Sequence, residues 1–187
     1  MNPLKESYPS FKEIQDLQHK LQKMLTDYWL HHDLFTFQWW LLLCIWIVPW
    51  IIWWRYVQRK RIKEILLFGS LLMLLVGFLD DIGVNCNLWS YPYKLTSVVP
   101  KLVAIDYGII IIAHMSVYQH FKRWKSFLIA NVIMATIFSF ICEPITVWLK
   151  IYRLDNWEYA YSLPIYVAKA ALVKWIVDVV LTRKMKQ

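Results

Sequence analysis

Five ionisable side chains fall within or at the ends of long apolar runs: Asp80, Asp81, Asp106, Glu143 and Lys169. In an apolar setting such a set can hold a cation or a polar head group, or pass a proton to a bound molecule. Leaving them in hydrocarbon is costly, about 2.5–3.5 kcal/mol for each ionised group at the centre of a spanning helix. The acids outnumber the lysines near them, so they cannot all be neutralised in pairs. The arrangement predicts a water-accessible pocket, opening outward, lined by acids and Lys169. Asp80 and Asp81 also have a simpler reading, as residues that end a helix at a water boundary. Glu143 precedes Pro144, whose ring removes a backbone N–H and frees a carbonyl near the carboxylate. Glu143 is therefore the first candidate site residue.

Two aromatic stretches stand beside these acids. "NLWSYPY" runs from Asn87 to Tyr93 and "NWEYAYSLP" from Asn156 to Pro164. Both are built on Trp-x-Tyr, and Trp89, Tyr91, Trp157 and Tyr159 complete the candidate pocket. Each follows an acid-bearing apolar run and leads through a proline, Pro100 or Pro164, into another. Trp and Tyr rings favour the head-group zone of a bilayer without any special function. That accounts for the rings singly but not for the acids next to them. The recurrence reads either as two hairpins of a parallel internal repeat or as a coincidence of short matches.

The elements that must position these groups follow from the apolar runs. Hydrophobic residues make up 59% of the 187-residue chain and charged residues 18%, against roughly 45–50% and about 25% in ordinary globular proteins. A spanning helix needs about 20 mostly apolar residues. Runs of that kind lie near 35–54, 65–84, 98–118, 127–149 and 163–181. The expected fold is all-α: a polytopic membrane helix bundle of five transmembrane helices (residues 35–187) behind an amphipathic N-terminal helix (residues 1–34). In that first segment Ser10 and Glu13 have capping-box spacing. Ile14, Leu17, Leu21, Met24 and Tyr28 then repeat at three and four residues, a stripe suited to lie on the membrane surface, to cover the bundle, or to pair with a second copy.

The loops after the first and third spans and the C-terminal tail are basic, so they are expected on the cytoplasmic side, with the N-terminus and both Trp-x-Tyr loops outside. The formal net charge of +8 is absorbed by those loops, and no nucleic-acid reader motif is present. The first thirty-odd residues are too polar for the apolar core of a cleavable signal. Cys44, Cys86 and Cys142 form no C-x-x-C pair or zinc-spaced set, so neither metal nor cofactor is expected; a Cys86–Cys142 disulfide is a minor alternative. Lys174 and Asp178 are spaced to pair within one helix, and His114 reads as a hydrogen-bonded core histidine.

"FLDDIGVNCNLWSYPYKL", "PKLVAIDYG" and "NWEYAYSLPIY" resemble a family of small multi-pass membrane proteins of spore-forming Firmicutes. The resemblance runs from about Ile65 to the C-terminus. It implies a bacterial plasma membrane and no established activity. A fainter similarity links the chain to lycopene-cyclase-type proteins of carotenoid pathways. Their paired glutamates after the proline are replaced here by Lys101 and Leu102 after Pro100, and by Ile165 and Tyr166 after Pro164, so no catalytic residue is carried over. Three function classes remain: a binding or sensory/accessory protein, a membrane enzyme on an isoprenoid or lipid, and a small proton- or cation-coupled transporter. The expected partners are the lipid bilayer and either a second copy or another membrane protein.

Overall fold

The computed structural model describes residues 8–99 and 101–184, with side chains to Val180. Pro100 and Lys186 of the basic tail lie outside the described residues. The chain is mostly helical. Helix α1 (Phe11–Tyr28) starts on the capping box: the Ser10 side chain accepts from the Glu13 amide, and the Glu13 carboxylate accepts from Ser10 N at 2.6 Å. It has no buried residue, and Leu17, Leu21 and Met24 of its apolar stripe are exposed. Near its C-terminal end the Gln22 amide donates to Ser97 O, so the helix is tied to the bundle there without burying its stripe.

A π-helical turn, Trp29–Asp33, leads to α2 (Phe37–Tyr56), which is capped by Thr36 and runs through Pro49. Helix α3 (Ile62–Asn85) follows, then strand β1 (Trp89–Ser90). A π-helical turn, Ile105–Ile109, opens α4 (Ile110–His120). Helix α5 (Trp124–Ile137), another π-helical turn (Phe138–Cys142) and α6 (Glu143–Trp148) follow one another without a break. Strand β2 (Arg153–Leu154) and α7 (Tyr159–Lys184) complete the fold.

Helix α4 is the inner element. Ile110, Ile111, Ile112, His114, Met115 and Tyr118 are all buried. Phe68 and Leu72 of α3, Phe127 of α5 and Val173 and Val177 of α7 join it in one core. Helix α2 lies on the first turns of α4. Gly108 makes this close approach work: an added Cβ would stand 2.9 Å from Ile45 O and 3.1 Å from Trp46 Cα. Ile45 O is also the carbonyl that Pro49, lacking an N–H, leaves without its helical partner.

Among the described residues three helices, not five, are long and apolar enough to cross a membrane: Phe37–Tyr56, Arg59–Asn85 and Trp124–Trp148. In the expected third span helix begins only at Val103, and Asp106 and His114 within it, with Gln119 and His120 just beyond, lower the apolar character of that helix. The expected fifth is 26 residues long but carries Lys169, Lys174 and Asp178. Lys169 and Lys174 are buried inside the bundle. An average of hydropathy counts such charges although their side chains face protein. Lys174 pairs with Asp178 at 3.2 Å, and its ammonium lies 5.0–5.3 Å from the ring centres of Tyr118, Trp124 and Phe127. All three cysteines are free thiols, so the Cys86–Cys142 alternative falls away.

Candidate functional site

A cavity of about 410 Å³ lies at the end of the bundle where α3, α6 and the starts of α4 and α7 meet. Asp80, Asp106, Glu143 and Lys169 all line it, and they are only 5%, 7%, 8% and 6% exposed. Trp89, Tyr91 and Trp157 line it as well. Asp81 and Tyr159 do not. Asp81 turns away to pair with Lys101 at 2.8 Å.

Local backbone geometry presents two of the acids. Asp106 lies within the π-helical turn Ile105–Ile109, and Glu143 directly follows the turn Phe138–Cys142. Such turns insert an extra residue and re-aim side chains. The second has an evident cause: Pro144 cannot donate to Phe140 O, so the helix is already interrupted there.

The two Trp-x-Tyr loops dock on each other to roof the cavity. Strands β1 and β2 pair antiparallel, Trp89 opposite Leu154 and Ser90 opposite Arg153. Leu88 O accepts from the amides of Asp155 at 3.0 Å and Asn156 at 2.9 Å. The rings of Trp89 and Trp157 meet edge to face at 5.0 Å, and Tyr91 stacks on Tyr152 at 5.7 Å. The first loop is also anchored from behind. Asp33, fully buried, accepts from Lys94 N at 3.1 Å, while the indoles of Trp29 and Trp39 donate to Lys94 O and Leu95 O. Burial lowers the pKa of the Lys94 ammonium, and the charge of Asp33 partly offsets that.

Each loop tryptophan serves the acid of its own hairpin, by different means. Trp89 Nε1 donates to Asp80 Oδ1 at 2.9 Å, and the Tyr91 hydroxyl donates to the same oxygen. Burial, then the charges of Asp106 and Asp80, push the Tyr91 phenol well above its usual pKa, so it remains a donor. Trp157 Nε1 donates to Ser162 Oγ at 3.0 Å, and Ser162 Oγ donates to Glu143 Oε2 at 3.0 Å. The Tyr166 hydroxyl takes the other oxygen, Glu143 Oε1, also at 3.0 Å.

Both oxygens of Glu143 are thus satisfied. Asp80 Oδ2 and Asp106 Oδ2 are buried and have no partner among the described residues. The Lys169 ammonium lies 4.1 Å from the centre of the Tyr166 ring and makes no ion pair among the described residues. No family model, characterised protein or solved structure matches this chain. The chemistry of the site must therefore be read from its own groups. Among the described residues no cluster of His, Cys, Asp and Glu could hold a metal ion.

Ser162, Tyr166 and Tyr152, which are not among the residues expected at the site, also line the cavity. Ser162, Tyr166 and Lys169 do carry a signal: they recur at four and three residues, one stripe of α7. Below the acids the cavity ends on Val76 and Ile110, which belong to the tightly packed core.

Proposed function

We propose that this is an integral membrane protein of the binding or sensory/accessory kind, whose cavity holds a small, largely apolar molecule by a hydrogen-bond-donating head. One observation carries the reading. Asp80 and Asp106 line one cavity, and a buried oxygen of each, Oδ2, lacks a partner among the described residues. A buried unmet acceptor costs about 1–3 kcal/mol, and a bound donor would recover that. The volume of about 410 Å³ lies in the range for small-molecule sites, roughly 300–1,000 Å³.

The membrane frame is part of the proposal. The three apolar helices cross the bilayer, and α4 and α7 cross with them, α4 as the inner helix and α7 with Lys169 and Lys174 turned toward protein. The basic loops put the N-terminus and the roof outside and the C-terminus in the cytoplasm, in a bacterial plasma membrane as the family resemblance implies. Asp80 then lies about 8 Å inside the outer end of α3, at about 1.5 Å per residue. The stripe of α1 suits the outer bilayer surface.

Identifying what co-purifies with the protein tests the binding reading. Extracts of wild-type protein should contain a donor-bearing small molecule that is depleted in Asp106→Asn. Equal recovery from both would overturn it. An enzyme acting on an isoprenoid or lipid is the second reading, favoured by two indoles beside the acids, which could face a cationic intermediate. It requires that membrane lipids of a deletion strain change and that Glu143→Gln fail to restore them. The closed core beneath the cavity speaks against a transport path in this conformation.

A further inference from the structure

We propose that the cavity takes its ligand sideways from the bilayer, through the gap between α2 and α6, and that the ligand is an amphiphile carrying a protonated amine. This rests on reading the cavity as a binding site and names what it binds and how it is reached.

Access from above is blocked. The roof is closed by the β1–β2 pairing, by the two amides donating to Leu88 O and by the Trp89–Trp157 contact. Ile151, beneath it, is fully buried. Access from below is blocked by the core at Val76 and Ile110.

The side is different. Leu41 and Ile45 of α2 line the cavity, and so do Ile145 of α6 and Leu149, the residue following that helix. Helix α2 packs on α4 and the π-helical turn before it, with no comparable contact to α6. Ile145 is 49% exposed while it also lines the cavity, which places it at a mouth. All four side chains there are aliphatic. A mouth lined mainly by aliphatic side chains, with the Thr146 hydroxyl beside them already donating to Glu143 O, favours an alkyl chain and disfavours a strongly hydrated solute.

The inner end selects the head. Three carboxylates, Asp80, Asp106 and Glu143, face one ammonium, Lys169, and Lys101 is engaged with Asp81. An anionic head would bring further acceptors and negative charge to a site of three acids and one ammonium. A hydroxyl offers one donor for two unmet oxygens. A primary ammonium offers three donors and no acceptor, and charge-assisted bonds to carboxylates are the stronger kind. The rings of Tyr91, Tyr152 and Tyr166 line the same cavity, and the Tyr166 ring already lies 4.1 Å from the Lys169 ammonium, the kind of contact a cation makes. The amine could belong to a lipid such as phosphatidylethanolamine or to a free long-chain amine.

The test uses the full chain in nanodiscs of phosphatidylcholine, whose quaternary ammonium has no N–H. Saturable binding of radiolabelled dodecylamine is compared with that of dodecanol. The amine should bind about tenfold tighter or more, and that ratio should collapse in Asp106→Asn and in Asp80→Asn. Adding phosphatidylethanolamine to the disc should displace dodecylamine if the natural amine is a lipid; without displacement the free amine is assigned. Ile45→Trp and Ile145→Trp should slow association by about one decade or more. Equal affinities for amine and alcohol in wild type would overturn the amine while leaving the binding site intact. Unchanged association rates in both tryptophan variants would overturn the lateral route. Absence of saturable binding by either probe would sink the binding reading itself.

Discussion

Trp89 and Trp157, 68 positions apart in the sequence, meet edge to face with ring centres 5.0 Å apart. Through this contact two hairpins become one roof. Each indole N–H then points toward the acid of its own hairpin, Trp89 to Asp80 directly and Trp157 to Glu143 through Ser162. The roof and the acids are therefore one unit, and changes to either should be felt in both.

Ser162 is the relay on one side. Ser162→Ala leaves Glu143 Oε2 and Trp157 Nε1 without the partner they share. The expected loss is about 1–3 kcal/mol, read as a lower unfolding midpoint in detergent. Ser162→Thr retains a hydroxyl and should lose less. Equal midpoints for Ala and wild type would show that the relay contributes nothing.

Gly83 is the seat of Trp89, because an added Cβ would collide with the indole ring. Gly83→Ala should push the ring off Asp80 and destabilise the protein by about 1–3 kcal/mol. In the double variant with Trp89→Ala the glycine change should cost much less, since the ring it strikes is gone. Strictly additive effects in that cycle would rule out the collision as the cause.

Gly108 holds α2 against α4. The obstacle to a Cβ there is backbone, Ile45 O and Trp46 Cα, which cannot swing aside as a side chain can. Gly108→Ala should loosen α2 and, in a chain with Cys44 changed to serine, raise the labelling rate by thiol reagents of a cysteine replacing Leu42, which is fully buried on that helix. An unchanged rate would mean that α2 shifts as a body at no cost.

Acid should loosen the roof through Asp155. Ser90 Oγ donates to Asp155 Oδ2 at 2.7 Å and Arg153 Nε donates to Oδ1 at 2.8 Å. The Ser90 bond first, with Arg153 adding to it and burial opposing, holds this carboxyl below its usual pKa. A carboxyl lowered on folding stabilises above its unfolded pKa, about 3.9. That contribution fades as pH falls through the lower folded value. The near-ultraviolet circular dichroism of the tryptophan pair should hold at pH 5 and weaken below about pH 3.9. Asp155→Asn should lack that step. An identical acid profile in the variant would assign the step to another group.

The proposed orientation predicts that a cysteine replacing Asn156, in a chain with Cys44 and Cys86 changed to serine, reacts with a membrane-impermeant reagent on intact cells. A cysteine replacing Lys122 should react only after lysis. The reverse pattern would invert the topology.

Much of this protein follows from local sequence alone. The capping box at Ser10 and Glu13 and the Lys174–Asp178 pair each depend on residues within one or two turns of the same helix, so spacing suffices to read them. The common depth of Asp80, Asp106, Glu143 and Lys169 also follows, because helix rise per residue is nearly constant. What spacing could not decide is direction. Asp80 and Asp81 are neighbours, yet successive helical residues point about 100° apart, and only the packing of α3 against α4 and the Trp89 loop turned one into the cavity and the other to Lys101. The same holds for Tyr91, which lines the cavity, and Tyr159, which does not. The fifth expected span, α7, is not among the three long apolar helices of the described residues, and its lysines show the same dependence on packing. Lys169 and Lys174 are enclosed by neighbouring helices, and whether a charge faces lipid or protein is fixed by its surroundings rather than by its place in the chain.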